Sequence, residues 1–348
     1  MPKGAALTSQ ELALVLSRYD IGIIQQIKPL IGGNKRAPKQ IIISDTGRYL
    51  LKRRAKGKED RLRVEFAHAV QNHLNEKNFP VSKLVPVRNA NNTFLELDNH
   101  LYELFEFANG VRFDGSSESV IDAGSVLAGF HGFLRDFSYQ PMPHKGSFHN
   151  CRSVREHLKK ISSEKHGHVE QSLRRIVESL MTMYNNSSIN VNQLGFDDWA
   201  GQIVHGDWHP GNMLFAGGKI IAVLDFDSLK IAPVITDIAN GALQFSIIGG
   251  KPDPAEWPDH LDREMFAGFI YGYCRVNMLD EKQLKTLPDL MIETLIAEAV
   301  LPIAATGFFV NFSGADFLKM IHRKCLWLDK NRQALAEAIE NSLQDLPK

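Results

Sequence analysis

The densest group of chemistry-bearing side chains in the sequence is His205-Gly206-Asp207-Trp208-His209-Pro210-Gly211-Asn212, followed by Asp225-Phe226-Asp227 beyond a short hairpin pattern. Phosphoryl transfer needs a carboxylate to orient and deprotonate an attacking hydroxyl, and hard oxygen ligands to hold magnesium on nucleotide phosphates. The pattern D-x-x-x-x-N, then DF, supplies those groups. Asp207 is the candidate base, and Asn212, five residues on, turns back toward the metal. Asp225, thirteen residues later, reaches the same ion from a neighbouring strand. Asp227 adds a carboxylate that either touches a second magnesium or hydrogen-bonds locally. His205 and His209 bracket Asp207 as H-x-D-x-H, which a metal-dependent hydrolase could also use, but such a site needs further ligands and an open water position. The histidines are expected to orient the loop by hydrogen bonds, with His209 counted in the catalytic group.

These loops need a scaffold. Between 23 and 107 the pattern is of short β segments at 40–43, 49–53, 84–87, 93–97 and 101–107, with hairpin-type residues at 44–47 and 98–100. An antiparallel sheet follows, interrupted by one helix over 59–77 in which Leu62, Phe66, Ala69, Val70 and Leu74 form a single apolar stripe. After Asn109-Gly110 the texture is helical, with stripes over 120–134, 154–183 and 266–301, except for short strands and turns between 203 and 227. The boundary falls near residue 108. Residues 1–108 are expected to form a nucleotide-binding lobe, and 109–348 a mostly helical lobe carrying the catalytic and metal loops and the acceptor site.

Composition narrows the function classes. The 348 residues carry 40 Lys plus Arg and 40 Asp plus Glu, so a net charge of zero argues against a global grip on nucleic acid. A basic run over 48–63, with eight cations against Glu59 and Asp60, reads as a solvated face or a positive rim near phosphates. Cys151, Cys274 and Cys325 are far apart, which favours a reducing, cytoplasmic setting over disulfides or a thiolate zinc site. The N-terminus lacks a signal-peptide core, and the apolar stretch at 295–310 is interrupted by Glu298 and Pro302, so no membrane association is expected. His131 sits on an apolar helical stripe and reads as a core histidine. Trp257, Trp327, Phe308, Phe309 and Phe312 could box a quaternary amine but are more often core. Glu293, Glu298 and Asp316 could meet an amino group, although acids on helices are usually solvated.

The HGDxHxxN loop and the downstream Leu224-Asp225-Phe226 resemble the aminoglycoside phosphotransferase and choline kinase superfamily, nearest its homoserine-kinase-like and spore-coat-kinase-like branch. Upstream, Leu30-Ile31-Gly32-Gly33-Asn34 is similar to the family's glycine-containing nucleotide loop, and 48–53 to its lysine-bearing third strand. The resemblance implies an α+β, two-lobed protein-kinase-like fold with an antiparallel N-lobe sheet and a mostly helical C-lobe. It implies ATP and Mg2+, with Gly32, Gly33 and Lys52 on the nucleotide, Glu65 paired to Lys52, and Glu106 and Phe107 at the adenine hinge. Magnesium would fall to Asn212, Asp225 and Asp227, and Asp237 would be a structural aspartate. The implied partner is a small molecule with an acceptor hydroxyl, from the amino alcohols, amino acids or sugars. A catalytically inactive binding protein on the same fold is the competing reading.

Overall fold

The structure is a computed structural model that describes residues 7–30, 37–90, 92–163 and 171–344. β-Branched and aromatic residues in the first third form a five-stranded antiparallel sheet in the order β1-β2-β3-β5-β4. The strands are β1 (Ile24–Pro29), β2 (Lys39–Ser44), β3 (Arg48–Arg53), β4 (Phe94–Leu97) and β5 (His100–Glu106). Asp98 and Asn99, both at positive φ, close the β4–β5 hairpin. On the outer face Ile42, Leu51 and Leu104 are buried beneath helix α1 (Ser9–Leu16), which opens with a Thr8–Glu11 capping box. Because side chains alternate along β3, burying Leu51 outward turns Leu50 and Lys52 to the opposite face, where they line a cleft.

Helix α2 (Arg61–Glu76), capped by Asp60, lies between the lobes. Its Phe66, Ala67, Val70 and Leu74 belong to the larger hydrophobic core, shared with helix α3 (Ser117–Phe133), rather than to the cluster under the outer face of the sheet. Phe79 meets Phe130, with ring centroids 5.9 Å apart, which fixes the end of α2 to the second lobe. The Val223 amide also donates to the Pro80 carbonyl at 2.8 Å.

The second lobe consists of α3, α4 (Arg152–Ser163), α5 (Gln171–Gln193), α6 (Ile235–Ser246), α7 (Arg263–Cys274), α8 (Glu281–Thr306), α9 (Gly314–Lys330) and α10 (Arg332–Leu343). Two small antiparallel pairs interrupt it: β6 (Gly201–Val204) with β9 (Lys230–Pro233), and β7 (Met213–Ala216) with β8 (Lys219–Val223). The short ribbon of β10 (Phe308–Phe309) and β11 (Phe312–Ser313) precedes α9.

Several elements differ from the sequence expectation. The segment 84–87 is not a strand of the sheet but makes isolated bridges to Phe105 and Tyr19, because Pro86 has no amide to continue a ladder. Strand β1 was not anticipated; it is an edge strand exposed at all its positions, so it shows no inward-outward alternation. The stripe at 266–301 is two helices, α7 and α8, since Asp280 and Gln283 form a new capping box. The stripe at 154–183 runs through α4 and α5, with 164–170 outside the described residues. The glycine loop containing Gly32 and Gly33 also lies outside them.

Helices α3 and α7 approach through glycines. A Cβ on Gly124 would lie 2.1 Å from the Phe269 carbonyl oxygen, and one on Gly272 would lie 2.0 Å from that of Ile121. Backbone cannot yield as a side chain can, so Gly124→Ala should destabilise the chain by about 1–3 kcal/mol. Urea unfolding against the wild type measures this; unchanged stability would show that the two helices can part without cost.

Candidate active site

The 205–212 loop leaves β6 through a residue that must be glycine. Gly206 has φ +75°, and a Cβ there would lie 2.5 Å from the Ser228 carbonyl oxygen. The loop is held from below by Asp237 in the first turn of α6. Its carboxylate accepts the amides of His205 at 2.6 Å and Gly206 at 2.8 Å, and His131 Nε2 lies 3.3 Å away. Burial alone would raise the Asp237 pKa, but His131, His205 and the Gly206 amide together lower it. His131 Nδ1 contacts the Tyr273 hydroxyl at 3.0 Å, so this histidine is a buried member of the loop's support. Trp208, fully buried, sets its ring against Phe130 and His205 and anchors the loop in the core.

At the tip, Asp207 and Asn212 are coupled directly. Asn212 Nδ2 donates to Asp207 Oδ2 at 2.9 Å and to the Asp207 carbonyl at 3.1 Å. His209 Nδ1 accepts the Gly211 amide at 3.0 Å, which leaves Nε2 as the protonated nitrogen, 3.6 Å from Asp207 Oδ1. Desolvation pushes the Asp207 pKa up, but His209, His205 and Asn212 outweigh it and hold it below the usual aspartate value. The group is therefore a carboxylate at neutral pH, able to accept a hydrogen bond from an incoming hydroxyl. His205 is buried, and burial lowers its pKa below the ordinary value, so it is neutral. Its Nε2 faces the Leu224 carbonyl at 3.3 Å, which ties this loop to the residue before Asp225.

Asp225 sits at the mouth of the β7–β8 hairpin with φ +59°, a left-handed conformation that Asp tolerates. Its carboxylate is exposed and makes no hydrogen bond or ion pair among the described residues. Asn212 Oδ1 is likewise without a hydrogen bond among them. Two hard oxygen donors beside a nucleotide-sized cleft fit magnesium, which takes few protein ligands and completes its shell with phosphates and water. No cluster of three or more His, Cys, Asp or Glu able to hold a metal exists among the described residues. The two histidines of the H-x-D-x-H pattern face separate partners, the Leu224 carbonyl and Asp207. Asp227 is engaged elsewhere: it pairs with Arg54, and with Lys58 at 3.3 Å.

The opposite wall corrects the expected lysine pair. Lys52 Nζ lies 3.4 Å from Glu103 Oε2 on β5, whereas Glu65 faces outward and binds Arg61 at 2.8 Å. Glu103 is also reached by Arg54 at 2.6 Å and by His68 at 2.8 Å. Burial pushes the Glu103 pKa up, but Lys52, His68 and Arg54 drive it far below the carboxylate range. Glu103 was missed because a glutamate inside a strand has no sequence mark distinguishing it from a solvated one. Neither Glu106 nor Phe107 lines the cleft. The Glu106 amide donates to the Lys83 carbonyl, and that of Phe107 to the Arg48 carbonyl, each within 2.9 Å; Phe105 lines the cleft instead.

Of the three acids noted in the helical lobe, Glu293 is buried and Glu298 half-buried. Glu293 binds His149 and Ser188, and Glu298 on α8 accepts from Asn240 at 2.9 Å and Gln244 at 2.8 Å. Asp316 pairs at the surface with Lys319. The aromatic residues do not make one box: Trp257, Phe309 and Phe312 pack on Phe317, while Trp327 lies under Arg263.

An α+β, two-lobed kinase-like fold with a phosphotransferase-type loop is thus defined. The profile of the Phosphotransferase enzyme family matches residues 26–284, and the chain belongs to that family. Among solved structures it is similar to an aminoglycoside phosphotransferase from Alicyclobacillus acidocaldarius, at 16% identity and a TM-score of 0.69, covering 98% of both chains. It is also similar to a microcompartment-associated aminopropanol kinase, at 15% identity and a TM-score of 0.66, over 94% of this chain and 99% of that one. A choline kinase from Cryptosporidium parvum aligns at 13% identity and a TM-score of 0.61, over 92% and 94% of the two chains. Curated proteins give no match. Among the described residues no helix is long and apolar enough to cross a membrane.

Glu298 supplies a measurable consequence. Burial, reinforced by the Asp207 charge, raises its pKa from 4.5 to about 7, so the folded chain binds a proton that the unfolded chain releases between those values. Its contribution is present below pH 4.5 and lost as pH rises toward 7, so stability falls across that window. Glu298→Gln, which keeps the shape without the charge, should be more stable than wild type at pH 8, by up to roughly 3 kcal/mol, with the gap closing toward pH 5. Thermal unfolding of both proteins across this range checks it; a pH-independent gap would mean that Glu298 does not titrate there.

Proposed function

We propose that this chain is an ATP-dependent O-phosphotransferase that moves the γ-phosphoryl group of Mg-ATP to a hydroxyl of a small metabolite. One observation carries the reading. The ionised Asp207 is locked to Asn212, while the unpartnered Asp225 carboxylate and Lys52 line one cleft between sheet and hairpin. Asp207 accepts the acceptor's hydroxyl proton as the oxygen attacks phosphorus. His209 Nε2 and Asn212 Nδ2 hold that carboxylate in place. Lys52, oriented by Glu103, neutralises charge on the phosphate oxygens. Asn212 Oδ1 and Asp225 would hold magnesium, which when bound screens the phosphates and fixes their orientation. Asp227, already paired with Arg54, is proposed only as a secondary ligand. The acceptor would be an amino alcohol, amino acid or sugar, and the site cytoplasmic.

The experiment is ADP release from Mg-ATP across a panel of small amino alcohols, amino acids and sugars. Stimulation by one acceptor, reduced by roughly a hundredfold or more in Asp207→Asn, supports the assignment. Asp225→Ala should abolish turnover while leaving the fold intact by circular dichroism. Full magnesium-dependent activity in either variant would overturn the residue roles, and absence of ATP binding in the wild type would favour a binding protein on the same fold.

A further inference from the structure

Lys39 opens β2 and stands directly across from Lys52 in the β2–β3 register, on the same face of the sheet and lining the same cleft. Like charges placed opposite each other on neighbouring strands destabilise a sheet, so such a pair needs a compensating anion. Lys52 has one in Glu103. Arg54 and Lys58, the other cations of the cleft, are matched by Glu103 and Asp227. Lys39 is half-buried and makes no hydrogen bond or ion pair among the described residues. Burial and then the Lys52 charge hold its pKa below the ordinary lysine value, against the pull of the more distant Asp225, Asp227 and Glu103 carboxylates. Half-burying a lysine without a partner is unfavourable unless the partner arrives from outside the protein.

We propose that Lys39 is a second phosphate-binding lysine, completing with Lys52 a two-ammonium clamp on the polyphosphate of the nucleotide. The inference rests on the nucleotide reading above and assigns a new contact within it. The phosphate chain brings negative charge that relieves the Lys39–Lys52 repulsion and gives both ammonium groups oxygen acceptors. A lysine that only covers apolar surface with its methylenes leads to the opposite expectations.

Calorimetric titration of the full chain with Mg-ATP, adenosine and inorganic tripolyphosphate tests it, on wild type, Lys39→Met and Lys39→Arg. Lys39→Met should weaken Mg-ATP and tripolyphosphate by roughly tenfold or more, the loss expected of one charge-assisted hydrogen bond, while adenosine is unaffected. Lys39→Arg should restore most of the affinity. Without ligand, Lys39→Met should melt at or above the wild-type temperature, because the opposed charges are gone. Unchanged Mg-ATP affinity in Lys39→Met overturns the proposal, as does an equal loss for adenosine, which would mark a structural role. If the wild type binds neither nucleotide nor tripolyphosphate, the nucleotide reading itself fails and the clamp with it.

Discussion

A carboxylate buried with less than its full set of partners is costly, and the architecture of the site follows from how Asp237 avoids that cost. Its two oxygens take the amides of His205 and Gly206, so the backbone just upstream of Asp207 cannot shift without exposing a buried charge. Because Asp237 lies in the first turn of α6, the loop inherits the rigidity of a helix packed against α7 and α8. His131 and Tyr273 extend the support into α3 and α7. The close approach of those two helices at Gly124 and Gly272 therefore also sets where the loop's floor stands.

The sheet wall of the cleft is built on a second buried carboxylate with the opposite logic. Asp237 binds mostly neutral donors and fixes backbone, whereas Glu103 gathers Lys52, Arg54 and His68 and fixes side chains. Placing this anchor on β5 ties the position of Lys52 to the sheet, with His68 of α2 as a further hold on the same carboxylate. Arg54 carries the link across the cleft to Asp227, so the two walls are joined by an ion-pair chain. That chain occupies the carboxylate that the sequence offered as a further metal ligand, whereas Asp225 makes no hydrogen bond or ion pair among the described residues.

What the sequence made legible was short-range. Asp207, Asn212 and Asp225 could be read because their separations are fixed by one loop and one hairpin, and the structure brings all three to one place. Lys52 could be assigned to the cleft face from alternation alone. Glu65 was misjudged because helical spacing says which face of α2 is apolar but not which strand's side chains it meets; the outward turn toward Arg61 and the choice of Glu103 are tertiary facts. Glu106 and Phe107 failed for a related reason, since their amides are taken by Lys83 and Arg48 through segments whose pairing the sequence does not mark. The bridge-making run at 84–87 read as a strand because composition reports β-propensity and not ladder continuity.

The surroundings of Asp207 are least legible because their chemistry is made by burial. Asp207 and Glu298 are both acids near the loop, yet their surroundings drive them apart: the nearby His209 and the hydrogen bond from Asn212 keep Asp207 ionised, whereas burial and the Asp207 charge raise the Glu298 pKa to about 7. Two adjacent carboxylates cannot both ionise cheaply in a poorly solvated pocket, so the better-solvated one with the stronger donors keeps the charge. Asn240 and Gln244, donors from α6, favour the ionised carboxylate of Glu298 but do not outweigh its burial. Which of the two acids carries the charge is thus set by burial and by donors that only the folded chain brings together.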